Sequence, residues 1–191
     1  MGDSMYSLKI KGMTFGVSFS FLALVGFLTL CKGELRVQLL VCLCCCAFHE
    51  LGHLTAMLLL GVKAEAVILY GGGMLIRRKI AIDSSNLSDC VILLAGPAAN
   101  AALALFLALL GLRSAAGYNL FCAVFNLLPL AYFDGGRIAD ILFPQSAAVE
   151  LVKNIIILMF ACLVFSVTLM GGLNISLLVT FVYIALCEIL V

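Results

Sequence analysis

Apolar runs long enough to cross a membrane are the feature that most constrains the fold of this sequence. About 20 apolar residues in a helix span the hydrocarbon core of a bilayer, and backbone in lipid must satisfy its own hydrogen bonds. Six such runs follow one another, at about residues 14–31, 37–60, 90–110, 118–133, 149–170 and 175–191. The predicted fold class is therefore an all-α membrane protein, a six-helix transmembrane bundle.

The composition supports a membrane protein and limits its partners. Of the 191 residues, 65% are hydrophobic and 11% are charged, and the mean hydropathy is +1.26. Soluble domains carry about 25% charged residues. We expect a single integral membrane domain over residues 1–191, in which the runs at 14–31, 149–170 and 175–191 are accessory spans. The net charge of +1, without a basic patch among aromatics, predicts no nucleic-acid partner.

The nine cysteines do not indicate a disulfide framework, because their number is odd and most lie in apolar runs. The consecutive Cys44, Cys45 and Cys46 would point about 100° apart on a helix and cannot converge on one ion. We predict that they are small buried hydrophobic residues.

One connection differs from the others. Two short β-favouring runs, Val67–Tyr70 and Met74–Ile76, flank the glycine cluster Gly71-Gly72-Gly73 and predict a hairpin between the second and third spans. A hairpin cannot face lipid, so it should lie against the helices or at the membrane interface, and its edge could pair with an extended peptide. The alternative is an ordinary connecting loop.

The basic residues predict the orientation. With a cytoplasmic N-terminus and six spans, eight Lys and Arg residues fall on the inner side and three on the outer side, which favours cytoplasmic N- and C-termini. The inner residues are Lys9, Lys11, Lys63, Arg77, Arg78, Lys79, Arg137 and Lys153, and the outer ones are Lys32, Arg36 and Arg113.

The second run contains the sequence His49-Glu50-Leu51-Gly52-His53, an HExxH pattern. On a helix the two histidines share one face and can bind one metal ion, while Glu50 reaches a water on that ion as a general base. These are the only histidines in the chain, and such groups at membrane depth are costly unless they have a function. The alternative is a pair of core histidines.

A catalytic zinc ion takes three protein ligands and keeps one position open. Without a third histidine, the remaining ligand must be a carboxylate or a thiolate. Pro129 should end the fourth helix and leave residues 130–134 irregular, which brings Asp134 to a site that a metal can reach. Asp140 is the second candidate, and a loop Asp beside Gly can also be a simple turn residue.

Three motifs together resemble the site-2 protease family of intramembrane zinc metalloproteases. They are HELGH in the second span, GPAAN in the third and NLLPLAYFDGGR at the fourth, and the likeness covers about residues 35–140. In that family the two motif histidines and the Asp of an N-x-x-P-x-x-x-x-D-G pattern bind zinc, which implies His49, His53 and Asp134 here. In its small size and its six predicted spans, the chain resembles the branch of stage IV sporulation protein FB. That branch often carries a C-terminal nucleotide-sensing CBS domain, which is not expected in these 191 residues, and relatives often have more proline where Leu130–Phe133 stands.

The resemblance implies an intramembrane zinc metalloprotease, with one Zn²⁺ per chain, in the inner membrane of a bacterial cell. Its substrate would be a transmembrane protein, and a membrane inhibitor or regulator protein is a possible partner. Glu50 would be the catalytic base. Asn126 and Asn100 would bind the substrate backbone or the oxyanion, and the hairpin at Gly71, Gly72 and Gly73 would hold an unwound substrate extended.

Two other functions stay open. Histidine and glutamate inside spans also form ion paths, so a divalent metal transporter is one alternative. Such a path needs polar residues along the whole membrane depth, whereas here they cluster at one level. The other alternative is an inactive relative that binds membrane proteins without cutting them, and the intact Glu50 argues against it.

Overall fold

The computed structural model describes residues 4–10, 13–70, 73–78, 85–171, 178–179, 181–183 and 185. Within them it divides into two compact units, Met1–Phe125 and Asn126–Val191. The predicted sixth span at 175–191 lies largely outside the described residues.

The first unit contains a four-stranded sheet, with two strands more than the hairpin predicted in the otherwise helical fold. Its strands are β1 (Ser4–Ile10), β2 (Met13–Ser18), β3 (Ala64–Tyr70) and β4 (Gly73–Arg78), in the spatial order β1-β2-β3-β4. The predicted hairpin is confirmed as the antiparallel pair β3–β4, with Tyr70 opposite Gly73. The strands β2 and β3 run parallel, and β4 forms one edge of the sheet.

The predicted first span at 14–31 is a strand followed by a short helix. Residues 13–18 form β2, and the helix α1 covers Phe19–Leu30. Ser18 ends the strand and caps the helix, because its hydroxyl accepts a hydrogen bond from the backbone N–H of Phe21 at 3.4 Å. The 12 residues of α1 are fewer than a bilayer-spanning helix needs.

Three helices are long and apolar enough to cross a membrane among the described residues: α2 (Gly33–Leu59), α3 (Asn86–Leu109) and α6 (Ala147–Gly171). They match the second, third and fifth predicted spans and indicate a membrane protein. Gly61, with a φ of +70°, follows the end of α2 as predicted, because glycine adopts this left-handed conformation without a Cβ clash.

Two side-by-side helices and the sheet form the core of the first unit. Ala56 and Met57 of α2 pack against Ile92 of α3, and Ile76 of β4 covers this cluster. The helices approach closely because Gly52 faces α3, where a Cβ would overlap the backbone of Ala95. The remaining helix of this region, α4 (Arg113–Asn126), is shorter than the fourth predicted span.

In the second unit the chain is irregular from Leu127 to Phe133, as Pro129 predicts, and then forms the helix α5 (Asp134–Leu142). Asp134 is thus the first residue of a helix, whereas we had expected it to lie in irregular backbone. A carboxylate in the first turn of a helix is favoured by the partial positive charge there.

Candidate metal centre

The two histidines of the HExxH pattern lie one turn apart on α2, and both are buried. Their Nε2 atoms are 3.0 Å apart, and the two rings meet edge to face. One helix therefore brings two ring nitrogens to the same point, as the spacing of four residues predicts. Nitrogens that converge in this way are suited to bind a single cation between them.

The tautomer of His53 is set by a backbone group of α3. The Nδ1 atom of His53 lies 2.7 Å from the carbonyl oxygen of Ile92. A carbonyl oxygen can only accept, so Nδ1 carries the hydrogen and donates it. The lone pair of the neutral ring is then on Nε2, the atom that faces His49, and a ligand histidine is commonly oriented by such a bond.

Gly96 of the GPAAN motif makes room for both imidazoles. A Cβ at this position would overlap Nε2 and Cε1 of His53 and Cε1 of His49. The space that a side chain would fill at this position holds the two histidine rings instead.

Glu50 is partly buried on α2. Tyr70, which the sequence did not indicate as a site residue, lies within electrostatic range of it. Burial raises the pKa of the Tyr70 phenol, and the Glu50 carboxylate and Cys46 raise it further. Tyr70 is the last residue of β3, so this end of the sheet lies within electrostatic range of Glu50. The sequence signal that could have identified Tyr70 is its position directly before the glycine cluster.

Asp134 is buried, with 7% of its surface exposed, at the start of α5. The two glycines that follow it allow a close fit, as predicted. A Cβ at Gly135 would overlap the carbonyl of Leu127, and one at Gly136 would overlap the carbonyl of Leu130. The start of α5 is therefore packed directly on the irregular segment that precedes it.

Asp140, the alternative ligand, is engaged elsewhere. It is exposed on α5, and its carboxylate lies 3.2 Å from the ammonium group of Lys153 on α6. The candidates for metal ligands among the described residues are His49, His53 and Asp134. These are the three that the sequence indicates.

The other predicted site residues have different surroundings. Asn126 is the last residue of α4 and is half-buried. Asn100 is completely buried in α3, and its amide has no hydrogen-bond partner among the described residues. Gly73 begins β4, while Gly71 and Gly72 lie outside the described residues.

Comparison with known proteins gives a match in structure only. No protein-family model matches the sequence, and no curated protein matches it. The structure is similar to that of a site-2 protease from Methanocaldococcus jannaschii, with a TM-score of 0.64 and 20% sequence identity. The match covers 97% of this chain and 94% of that one, so the two proteins share a fold.

Proposed function

We propose that this protein is an intramembrane zinc metalloprotease that hydrolyses peptide bonds of membrane-embedded protein substrates. The observation that carries the proposal is the convergence of the Nε2 atoms of His49 and His53, with Nδ1 of His53 bound to the Ile92 carbonyl. Glu50, the next residue after His49, completes the arrangement of a zinc hydrolase. The shared fold with a site-2 protease is consistent with this chemistry.

Asp134 is the third ligand in this proposal. It is buried, it follows the N-x-x-P spacing from Asn126, and a buried carboxylate needs a cation or hydrogen-bond donors to offset the loss of water. Two imidazoles and one carboxylate are a donor set that zinc accepts in catalytic sites, with a fourth position left open. We therefore assign His49, His53 and Asp134 to one Zn²⁺.

A zinc ion held there would polarise the scissile carbonyl and lower the pKa of a bound water toward neutrality. Glu50 accepts the proton of the attacking water and passes it to the leaving amine. Asn126 donates hydrogen bonds to the substrate backbone or to the developing oxyanion. We give this role to Asn126 rather than to Asn100, which has no exposed surface. The substrate contact predicted for Asn100 stays a prediction.

The substrate in this proposal is a transmembrane segment that is locally unwound and pairs with β4. The helical hydrogen bonds of such a segment shield its peptide groups, so it must be extended before it is cut. The strand β4 is an edge strand and can pair with an extended chain on its outer side. We also propose cytoplasmic termini in a bacterial inner membrane, and the sporulation-type branch, on the basis of basic-residue distribution and size.

Replacement of the catalytic base tests the proposal. Glu50→Gln keeps the size of the side chain but removes its basicity, and general-base catalysis contributes about 10²- to 10⁴-fold or more. We expect cleavage of a membrane substrate in detergent to fall by at least this factor while zinc content stays the same. Glu34→Gln, at the exposed start of the same helix, is the matched control and should retain activity.

Two outcomes would contradict the proposal. Retained cleavage in Glu50→Gln would remove Glu50 from the mechanism. Zinc flux into vesicles that contain the wild-type protein, without cleavage of any membrane substrate, would favour a transporter instead.

A further inference from the structure

One face of the sheet carries an apolar row that crosses all four strands. The register places Leu8 of β1 opposite Phe15 of β2. Phe15 lies beside Val67 of β3, which in turn lies opposite Ile76 of β4. Residues that face each other across neighbouring strands project from the same face of a sheet. These four side chains therefore form one row from the edge strand β1 to the edge strand β4.

The β4 end of this row rests on the ends of two long helices. Ile76 packs against Met57, in the last turn of α2, and against Ile92, in the second turn of α3. Both helices are long and apolar enough to cross a membrane. Because the two helix ends pack on the same side chain, they lie on the same side of the membrane. The face of the sheet that covers them is therefore turned toward the membrane.

The helices cover only part of this face. Val67 is 7% exposed, whereas Phe15 is 43% exposed and Leu8 is 63% exposed. Tyr6, 65% exposed, projects from the same face, because it lies opposite Val17, two residues after Phe15 on β2. The exposed fraction thus rises from β3 to β1, and the apolar face extends beyond the helices that cover its other end.

The opposite face of the sheet is polar at this end. Successive side chains of a strand point to opposite faces, so Ser7 and Lys9 alternate with Tyr6 and Leu8 along β1. Both Ser7 and Lys9 are exposed. The β1–β2 end of the sheet is therefore amphipathic, with its apolar face toward the membrane and its polar face away from it.

We infer that Tyr6, Leu8 and Phe15 form a lipid-contact surface, which lies on the phospholipid bilayer beside the ends of α2 and α3. An apolar face backed by a polar one, with aromatic residues among the apolar ones, is typical of an element in the membrane interface. The same face already covers membrane helices at its other end, which favours lipid over a second copy of this chain as its occupant.

The open edge of β1 limits the depth of this surface. The sheet has the order β1-β2-β3-β4, so the outer side of β1 presents backbone groups that no strand of the sheet pairs. Such groups are not tolerated in the hydrocarbon core, but water reaches them at the headgroups. The surface therefore lies at the boundary between headgroups and acyl chains, and the sheet does not cross the core.

Tryptophan fluorescence can locate this surface, because the chain contains no tryptophan. Leu8→Trp and Phe15→Trp are reconstituted separately in vesicles of phosphatidylcholine and phosphatidylglycerol that are brominated on the acyl chains. We expect emission at shorter wavelength than in water and weak quenching by dissolved iodide. Bromine should quench both variants most strongly at about 5–10 Å below the headgroups, the depth to which interfacial elements bury their apolar faces.

Ser7→Trp is the matched control, because Ser7 is next to Leu8 on the same strand and projects from the other face. Iodide should quench it strongly and bromine weakly. Equal bromine quenching of Ser7→Trp and Leu8→Trp, or none in Leu8→Trp and Phe15→Trp, would overturn the inference. Shielding from iodide that is lost when the protein is diluted in lipid would assign the surface to a second copy instead.

The unsubstituted chain decides the matter if the tryptophan variants do not fold. A phospholipid with a photoreactive diazirine on its acyl chain is cross-linked to the protein in the same vesicles, and mass spectrometry maps the labelled residues. Labels should lie on Tyr6, Leu8 and Phe15, and labels confined to the long helices would contradict the inference. Neither readout uses metal binding or cleavage, so this inference and the proposed protease function can fail separately.

Discussion

The histidine pair of α2 and the aspartate at the start of α5 differ in how the chain positions them. The imidazoles of His49 and His53 come from one helix, where a spacing of four residues aligns them. They are also braced by the Ile92 carbonyl and by the space at Gly96. Asp134 is the first residue of α5, and the two glycines after it pack on the irregular segment that precedes the helix. Local sequence therefore specifies the histidine pair, whereas the position of the aspartate depends on how a non-helical segment folds.

The largest expected effect is loss of the metal on removal of a ligand from either region. His53→Ala and Asp134→Asn each remove a proposed zinc ligand, so zinc should fall from one per chain to nearly none and cleavage should be lost. Elemental analysis of the purified chain measures the zinc content.

Asp140→Asn is the matched control for Asp134→Asn, because both residues are aspartates of α5. Asp140 is paired with Lys153, so its replacement should leave zinc content unchanged. Full zinc content in Asp134→Asn would show that the third ligand is another residue.

A single methyl group at Gly96 should affect only the histidine pair. The new Cβ in Gly96→Ala would overlap both imidazoles, and overpacking of this kind costs about 1–3 kcal/mol. We expect weaker zinc binding, lower cleavage and a lower unfolding temperature. Normal zinc affinity in this variant would mean that the rings have room to move, against the view that they are braced.

A change at the edge strand β4 should leave zinc binding unchanged and still reduce cleavage. Because Tyr70 and Gly73 close the hairpin, pairing alternates along β4 and the N–H of Met74 points away from β3. Met74→Pro removes this outward donor, which an edge strand tolerates. One lost hydrogen bond to the substrate costs about 0.5–1.5 kcal/mol, so kcat/KM should fall about 2- to 10-fold.

Met74→Ala keeps the backbone N–H and is the control for the proline variant. It should cleave the substrate as the wild type does. Equal activity of the two variants, at unchanged zinc content, would argue against pairing of the substrate with β4.

The smallest expected effect is a gain in stability from a substitution in α4. Gly117 lies within α4, and a Cβ there would meet no atom within 4 Å. Gly117→Ala should therefore raise the free energy of unfolding by about 0.4–1 kcal/mol, because it restricts the unfolded chain. A denaturant titration measures this, and destabilisation instead would show that α4 needs the glycine for packing.

The long helices could be predicted from sequence, whereas the first strands could not. Apolar runs of the length of α2, α3 and α6 have few other folds available in a membrane. The segment Thr14–Ser18 is apolar too, and a short apolar run does not distinguish a strand from the start of a helix. It is a strand because it pairs with β3, which is distant in sequence, and with β1.

The same limit applies to the site. The spacing of His49, Glu50 and His53 predicts their chemistry because one helix holds all three. The roles of Gly96 and of the Ile92 carbonyl depend on how α3 packs against α2, so a single sequence does not reveal them. Tyr70 comes near Glu50 through the sheet, which is again a non-local arrangement.

The parallel pairing of β2 with β3 has a consequence for biosynthesis. The two strands are joined through α1 and α2, so β3 leaves the ribosome only after both helices have been made. Contacts between such distant segments form late in folding. A nascent chain that already holds Glu50 and its two histidines therefore still lacks β3 and the part of the sheet that β3 and β4 form.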